Sequence, residues 1–155
     1  MNKKIITYAV SIAVALGVGS LSALLTSGSM DIYSSVETPS LSPPSIVFPI
    51  VWTILFTLMG ISAARVYIAN GYKRNNALTV YAVQLAVNFC WSIIFFNMRA
   101  FLFAFIWLIL LWGLIIVMIK GFYKHDKTAA YLQIPYLLWV TFAGYLNFGI
   151  YWLNR

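Results

Sequence analysis

The chain has 155 residues, of which 63% are hydrophobic and only 8% are charged. Soluble domains carry roughly a quarter of charged residues, so this chain lacks the polar surface that a water-soluble fold needs. Its 10 basic residues outnumber its 3 acidic ones and give a net charge of +7. Because these cations are scattered through an apolar chain, they fit the loops of a membrane protein better than a nucleic-acid-binding surface. We therefore expect an integral membrane protein with no nucleic-acid partner.

Five apolar runs follow one another along the chain, and each is long enough to cross a bilayer as a helix. They cover residues 5–25, 47–68, 77–96, 101–119 and 129–153. The first run could be a secretory signal, but it is longer than a usual signal core and no small-residue cleavage site follows it. The sequence thus predicts an all-α integral membrane protein whose single domain, 1–155, is a five-helix transmembrane bundle.

The positive charges predict how this bundle is oriented. Arg99 and Arg155 are the only cations expected on the far side of the membrane. The other eight lie on the N-terminal side, at Lys3, Lys4, Arg65, Lys73, Arg74, Lys120, Lys124 and Lys127. Because cytoplasmic loops carry the excess of Lys and Arg, we expect the N-terminus in the cytoplasm and the C-terminus outside the cell membrane.

The connection between the first two runs, residues 26–46, is long and rich in Ser, Gly and Pro. It contains Pro39, Pro43 and Pro44, and Pro49 follows just inside the second run. Such a segment does not cross hydrocarbon unless it is helical. It is therefore expected to form a lid over the outer mouth of the bundle, and the alternative is a disordered connector.

Scarce reactive groups exclude several kinds of chemistry. None of the five runs contains Asp or Glu, which disfavours a proton- or ion-coupled pump. With one Cys and one His, the chain forms no internal disulfide and no Cys/His metal cluster, so no metal site is expected. His125 and Asp126 are adjacent in a loop, which does not suit a hydrolytic triad. Cys90 is interpreted as a small core residue.

Two runs each carry a stripe of amide and indole side chains at helical spacing. The stripes are Gln84, Asn88 and Trp91 in the third run and Trp139, Ala143 and Asn147 in the fifth. Unpartnered amides are unfavourable in hydrocarbon, so both stripes should point into the bundle. There they either bond the helices to one another or line a pocket. With Trp52, the deep indoles predict an aromatic cavity beneath residues 26–46 that takes a flat apolar ligand.

Three segments of the sequence resemble a known family. Residues 39–52 read PSLSPPSIVFPIVW, residues 81–92 read YAVQLAVNFCWS, and residues 135–147 read PYLLWVTFAGYLN. They resemble the proline-rich entry to the second helix and the third- and fifth-helix signatures of the translocator protein (TspO) family. Its members are also called tryptophan-rich sensory proteins or peripheral benzodiazepine receptors. The resemblance covers nearly the whole chain and points to a bacterial member.

The resemblance implies a homodimer that binds porphyrins, such as protoporphyrin IX and haem, and drug-like ligands of the benzodiazepine and isoquinoline-carboxamide types. Carried over by position, the ligand-binding residues are Trp52, Asn88, Trp91, Trp139, Ala143 and Asn147. Tyr33 in the connection and Phe56 on the same face as Trp52 are further candidates. Bacterial members are linked to light-dependent porphyrin breakdown. We therefore expect photo-oxidation in which Trp52 and Trp139 are the catalytic, oxidisable side chains. No cofactor is obligatory, because porphyrin is the ligand or substrate and acts with light and oxygen.

Two other functions stay open at this point. One is a passive carrier that moves porphyrin, lipid or sterol between leaflets, which needs no intramembrane charge. The other is a sensory or scaffold protein whose ligand occupancy is read by a partner.

Overall fold

A computed structural model describes residues 2–155, which form helices and turns without any strand. The helices are α1 (Lys3–Thr26), α2 (Ile32–Ser35), α3 (Val47–Ala69), α4 (Asn76–Ser92), α5 (Phe101–Tyr123), α6 (Lys127–Leu132) and α7 (Ile134–Leu153). A 3-10 turn, Ser27–Ser29, follows α1, and a π-helical turn, Ile93–Asn97, extends α4. The all-α class expected from the sequence is confirmed.

Side-chain caps explain where several helices begin. The side-chain oxygens of Asn2, Asn75 and Asp126 each accept a backbone N–H from the first turn of α1, α4 and α6. Such caps satisfy donors that have no partner inside the helix. Pro135 lies in the first turn of α7, where the missing N–H of proline is tolerated.

Four helical segments are long and apolar enough to cross a membrane: α1, α3, α4 with its π-helical turn, and α5. The sequence predicted five. The fifth expected span, 129–153, is divided between the short helix α6 and the separate helix α7, and α7 is not among the four. The division falls next to Pro135, which cannot continue a helix from α6. Tyrosines, tryptophans and Asn147 lower the hydropathy of α7.

The helices pack as a bundle in which α1 lies along α3, α5 contacts both α4 and α7, and α6 lies against α3 and α5. The outward side chains of this bundle are apolar, and Leu24 and Leu138 are 69% and 65% exposed. A soluble monomer rarely exposes contiguous apolar surface on this scale, so this surface suits contact with lipid.

Small residues allow the close approach of α1 and α3. The Ser11 hydroxyl donates to the Gly60 carbonyl oxygen at 2.7 Å. A Cβ atom on Gly60 would lie 2.5 Å from the Ile12 Cα atom, so only glycine fits there. Gly19 is equally tight against the Phe56 ring. Ser11 and Gly19 of α1 therefore pack against α3 within the chain, as small residues do in many membrane helix pairs.

An ion pair ties α3 to the start of α6 at the basic end of the bundle. The Arg65 Nη2 atom lies 3.0 Å from the Asp126 Oδ2 atom. Burial by itself raises the pKa of Asp126, but the backbone N–H of Ala129 and the Arg65 guanidinium outweigh it and hold this pKa below its usual value. The ion pair therefore persists at neutral pH, and its stabilisation is lost only as the pH falls through that lowered pKa.

Substituting Gly60→Ala should destabilise the protein by about 1–3 kcal/mol, because the new methyl group meets the α1 backbone rather than a side chain that can rotate away. The measurement is thermal unfolding in detergent. Gly17→Ala is the matched control, because no atom lies within 4 Å of a Cβ added to Gly17. Equal unfolding temperatures for the two variants would contradict this packing.

Candidate ligand-binding cavity

A cavity of about 200 Å³ lies among α1, α3, α4 and α7, beneath the connection between α1 and α3. Its walls are mainly aromatic and aliphatic, and its few polar groups include the amides of Asn88 and Asn147. An apolar pocket with a small number of placed polar groups is the usual composition of a small-molecule site.

The structure brings most of the predicted ligand-binding residues together around this cavity. The predicted residues in its lining are Tyr33, Trp52, Phe56, Asn88, Trp91, Ala143 and Asn147. They come from the connection, from α3, from α4 and from α7, so the cavity forms only when these elements are packed.

Trp139 is the predicted residue that the lining does not include. Its ring lies behind Phe48, at 5.9 Å between centroids, and Phe48 itself lines the cavity. The cause is helical geometry: Trp139 and Asn147 are eight residues apart, which turns them about 80° away from each other around α7. The Trp139 Nε1 atom is buried and has no hydrogen-bond partner within residues 2–155.

A buried hydrogen-bond chain starts at the cavity floor. The Asn88 amide nitrogen donates to the Tyr136 hydroxyl at 2.7 Å, and that hydroxyl donates to the Gln84 side-chain oxygen at 2.7 Å. All three residues are buried. Gln84, which shares a face with Asn88, thus lies beneath the cavity rather than in its lining. The chain joins α4 to α7 and orients the Asn88 amide.

Asn147 makes a second polar connection across the bundle. Its side-chain oxygen accepts from the Trp91 indole N–H at 3.1 Å, and its amide nitrogen donates to the Phe101 carbonyl oxygen at 2.9 Å. One side chain therefore links α4, α5 and α7. The two sequence interpretations of these amides both apply, since they bond the helices and also line the cavity.

Several residues of the cavity lining were not predicted from the sequence. Phe95 follows Trp91 by four residues, so regular helical spacing already indicated it. Phe96 follows Trp91 by five residues and reaches the cavity from the π-helical turn, whose extra residue per turn shifts the phase that a regular helix would give. Ser22 and Thr26 come from α1. The available signal for α1 was its small residues at four-residue spacing, since Gly19 and Ala23 also lie in the cavity wall.

Two of the six tryptophans lie elsewhere and bond other groups. The Trp107 indole donates to the Val87 carbonyl oxygen at 2.8 Å, and the Trp112 indole donates to the Thr141 hydroxyl at 2.9 Å. The position of a tryptophan along its apolar run, and so its expected depth in the membrane, therefore did not identify which indoles face the cavity.

The roof of the cavity is the connection of residues 27–46, and it is held to α7 by a few hydrogen bonds. The Asn154 side chain accepts the Glu37 N–H at 2.9 Å and donates to the Glu37 carbonyl oxygen at 2.8 Å. The Tyr145 hydroxyl donates to the Ser40 carbonyl oxygen at 2.6 Å. Inside the connection, the Tyr33 hydroxyl donates to the Pro43 carbonyl oxygen at 2.8 Å.

Comparison with known proteins identifies the family of this chain. The model of the TspO/MBR family matches residues 9–153. A tryptophan-rich protein TspO from Chlorobaculum tepidum is 40% identical, over 99% of this chain and 99% of its own. The protein CrtK of Rhodobacter capsulatus is 36% identical, over 95% of this chain and 92% of its own. The translocator protein of Bos taurus is 31% identical, over 79% of this chain and 75% of its own. The chain is therefore a multi-pass membrane protein of the TspO/MBR family.

Proposed function

We propose that this protein binds a tetrapyrrole in the cavity beneath the roof and promotes its light-dependent oxidative breakdown. The observation that carries the proposal is the cavity itself, whose aromatic walls suit a flat ring and whose Asn88 and Asn147 amides suit its polar edge. The same chemistry suits drug-like aromatic ligands of the benzodiazepine and isoquinoline-carboxamide types. Family membership supports the proposal, because it fits a ligand-binding role in a membrane.

A tetrapyrrole needs more room than the cavity provides, and movement of the roof would supply it. The cavity of about 200 Å³ is smaller than the roughly 300–1,000 Å³ that small-molecule sites usually provide. The roof is held to α7 mainly through Asn154 and Tyr145, and these few hydrogen bonds are the contacts that an entering ring would break. The connection would then act as the lid that the sequence suggests.

The proposed chemistry needs light, oxygen and oxidisable side chains near the porphyrin. The pigment absorbs the light and reacts with molecular oxygen, while the protein supplies orientation and a water-poor enclosure. Trp52 lies in the cavity wall, with its ring 5.6 Å from that of Phe56. Trp139 lies one ring further away, behind Phe48. Trp52 would donate an electron directly to the light-excited porphyrin, and Trp139 would do so through the intervening Phe48 ring, with molecular oxygen as the final electron acceptor.

We further propose that α7 is a fifth crossing segment, with the N-terminus in the cytoplasm and the C-terminus outside. A helix of 20 residues spans about 30 Å, which matches the hydrocarbon thickness. Its lower hydropathy is acceptable because Tyr136 and Asn147 find hydrogen-bond partners inside the bundle.

Epitope tags at the two ends of the chain test this topology. Five crossings place the tags on opposite sides of the membrane. Protease added to cells whose outer envelope is permeabilised but whose cytoplasmic membrane is sealed should therefore remove only the C-terminal tag. Tags on the same side would indicate four crossings and would overturn the proposed role of α7.

Substituting Ala143→Phe should weaken protoporphyrin IX binding at least about tenfold, because the added ring occupies the small cavity that Ala143 lines. Binding is measured in the dark, from tryptophan fluorescence quenching of the purified protein. Val117→Phe is the matched control, since Val117 is 54% exposed on the outer face of α5. Unchanged affinity in a folded Ala143→Phe variant would place the ligand elsewhere, and Ala143→Leu serves if the larger ring prevents folding.

The variants Trp52→Phe and Trp139→Phe should still bind porphyrin but should degrade it more slowly under light, with the larger effect at Trp52. The absorbance of bound protoporphyrin IX is followed during illumination and in darkness. Trp112→Phe is the control, because the Trp112 indole bonds Thr141 away from the cavity.

Equal photodegradation by the double variant and the unmodified protein would remove the enzymatic part of the proposal. Porphyrin efflux from vesicles in darkness, dependent on this protein, would favour a passive carrier instead. A cellular phenotype that needs the loop at residues 120–127 while ligand affinity stays constant would favour a sensory role.

A further inference from the structure

Three buried polar side chains below the cavity lack adequate hydrogen-bond partners. Gln133 is fully buried, and neither its amide nitrogen nor its amide oxygen has a partner among residues 2–155. The Tyr81 hydroxyl is also buried without a partner in this range. Among residues 2–155, the only hydrogen-bond partner of the Gln84 amide nitrogen is the Met59 sulfur at 3.9 Å, and a thioether is a weak acceptor. Native interiors rarely leave such groups unsatisfied, so each requires an explanation.

The three groups lie at neighbouring levels of the bundle. The Tyr136 hydroxyl and the Gln84 side chain are hydrogen-bonded and fix the level at which α4 and α7 face each other. Tyr81 precedes Gln84 by three residues, and Gln133 precedes Tyr136 by three. Tyr81 shares the face of Gln84 on α4 and lies one turn closer to the basic end, and Gln133 lies at the junction of α6 with α7, just before the first residue of α7. Both helices begin at that end, at Asn76 and Ile134.

The hydrogen-bonding groups of these three side chains suit the binding of a small neutral molecule. An amide nitrogen, an amide oxygen and a phenol hydroxyl offer donors and acceptors in nearly equal number. A hard cation would need carboxylates or several carbonyl oxygens, and none of these residues supplies a carboxylate. A buried water needs two to four polar partners, and Tyr81, Gln84 and Gln133 together supply that number.

We propose that Tyr81, Gln84 and Gln133 hold at least one internal water molecule between α4 and the junction of α6 with α7. This water accepts a hydrogen bond from the Gln84 amide nitrogen and satisfies the Tyr81 hydroxyl and the Gln133 amide. It thereby extends the hydrogen-bond chain of Asn88, Tyr136 and Gln84. A continuous polar path then runs from the cavity floor toward the basic end, and water exchanges along it while the roof stays closed. This proposal does not depend on the identity of the cavity ligand.

Radiolytic hydroxyl labelling in ¹⁸O-enriched water tests the proposal on the unmodified, ligand-free protein in lipid nanodiscs. Bound water yields hydroxyl radicals beside the side chains that hold it, so Tyr81 should be labelled although it is only 8% exposed. After correction for intrinsic reactivity, its rate should exceed those of the fully buried Leu111 and Ile115 at least about tenfold.

Substituting Gln133→Met removes two water ligands with little change of side-chain length. We expect the Tyr81 labelling rate to fall at least about fivefold and the unfolding temperature to fall as well, because bonds to water are lost. The neighbouring variant Ile134→Met, at a position 37% exposed, should change neither quantity.

A dry interior gives the opposite results. Tyr81 in the unmodified protein would then be labelled no faster than Leu111 and Ile115, and that result alone overturns the proposal, even if Gln133→Met does not fold. A folded Gln133→Met variant that unfolds at a higher temperature would also overturn it, because replacing unsatisfied amide atoms by an apolar side chain is stabilising.

Discussion

The structure depends on pairing a few neutral polar side chains inside a bundle that has no charged core. Asn88 and Gln84 on α4 bond Tyr136 on α7, and Trp91 on α4 bonds Asn147 on α7. In hydrocarbon the hydrophobic effect does not distinguish helix contacts from lipid contacts, so packing and hydrogen bonds of this kind hold membrane helices together. The same bonds fix the distance between α4 and α7, and the cavity occupies the space that this distance leaves.

Charge is confined to the ends of the bundle, and this confinement shapes what the cavity can bind. Arg65 pairs with Asp126 at the basic end, outside the apolar interior. Among residues 2–155, the cavity lining therefore offers aromatic rings and amides but no ionised group. A site of this kind recognises a flat, largely apolar molecule by shape and stacking, and the amides add orientation. The roof lies over this space and is held to α7 by hydrogen bonds.

Much of the site could be predicted from the sequence because membrane helices make polar residues conspicuous. Asn88, Trp91 and Asn147 stand in apolar runs, and helical spacing places them on inward faces. Other features depend on details that spacing does not contain. Trp139 turns away from the cavity face over two helical turns, and the π-helical turn brings in Phe96 against the regular period. The break before α7 lies at Gln133, the C-cap of α6, two residues before Pro135. Hydrophobicity alone does not reveal this break, because the apolar run continues across it.

The central claim is that the space beneath the roof is the tetrapyrrole site. A crystal structure of the protein with protoporphyrin IX, grown and measured in the dark, tests this claim most directly. The predicted result is a porphyrin between Trp52 and Asn147, with the Asn154 and Tyr145 bonds to the roof broken. A porphyrin bound on the lipid-facing surface, with the cavity and its roof unchanged, would contradict the claim.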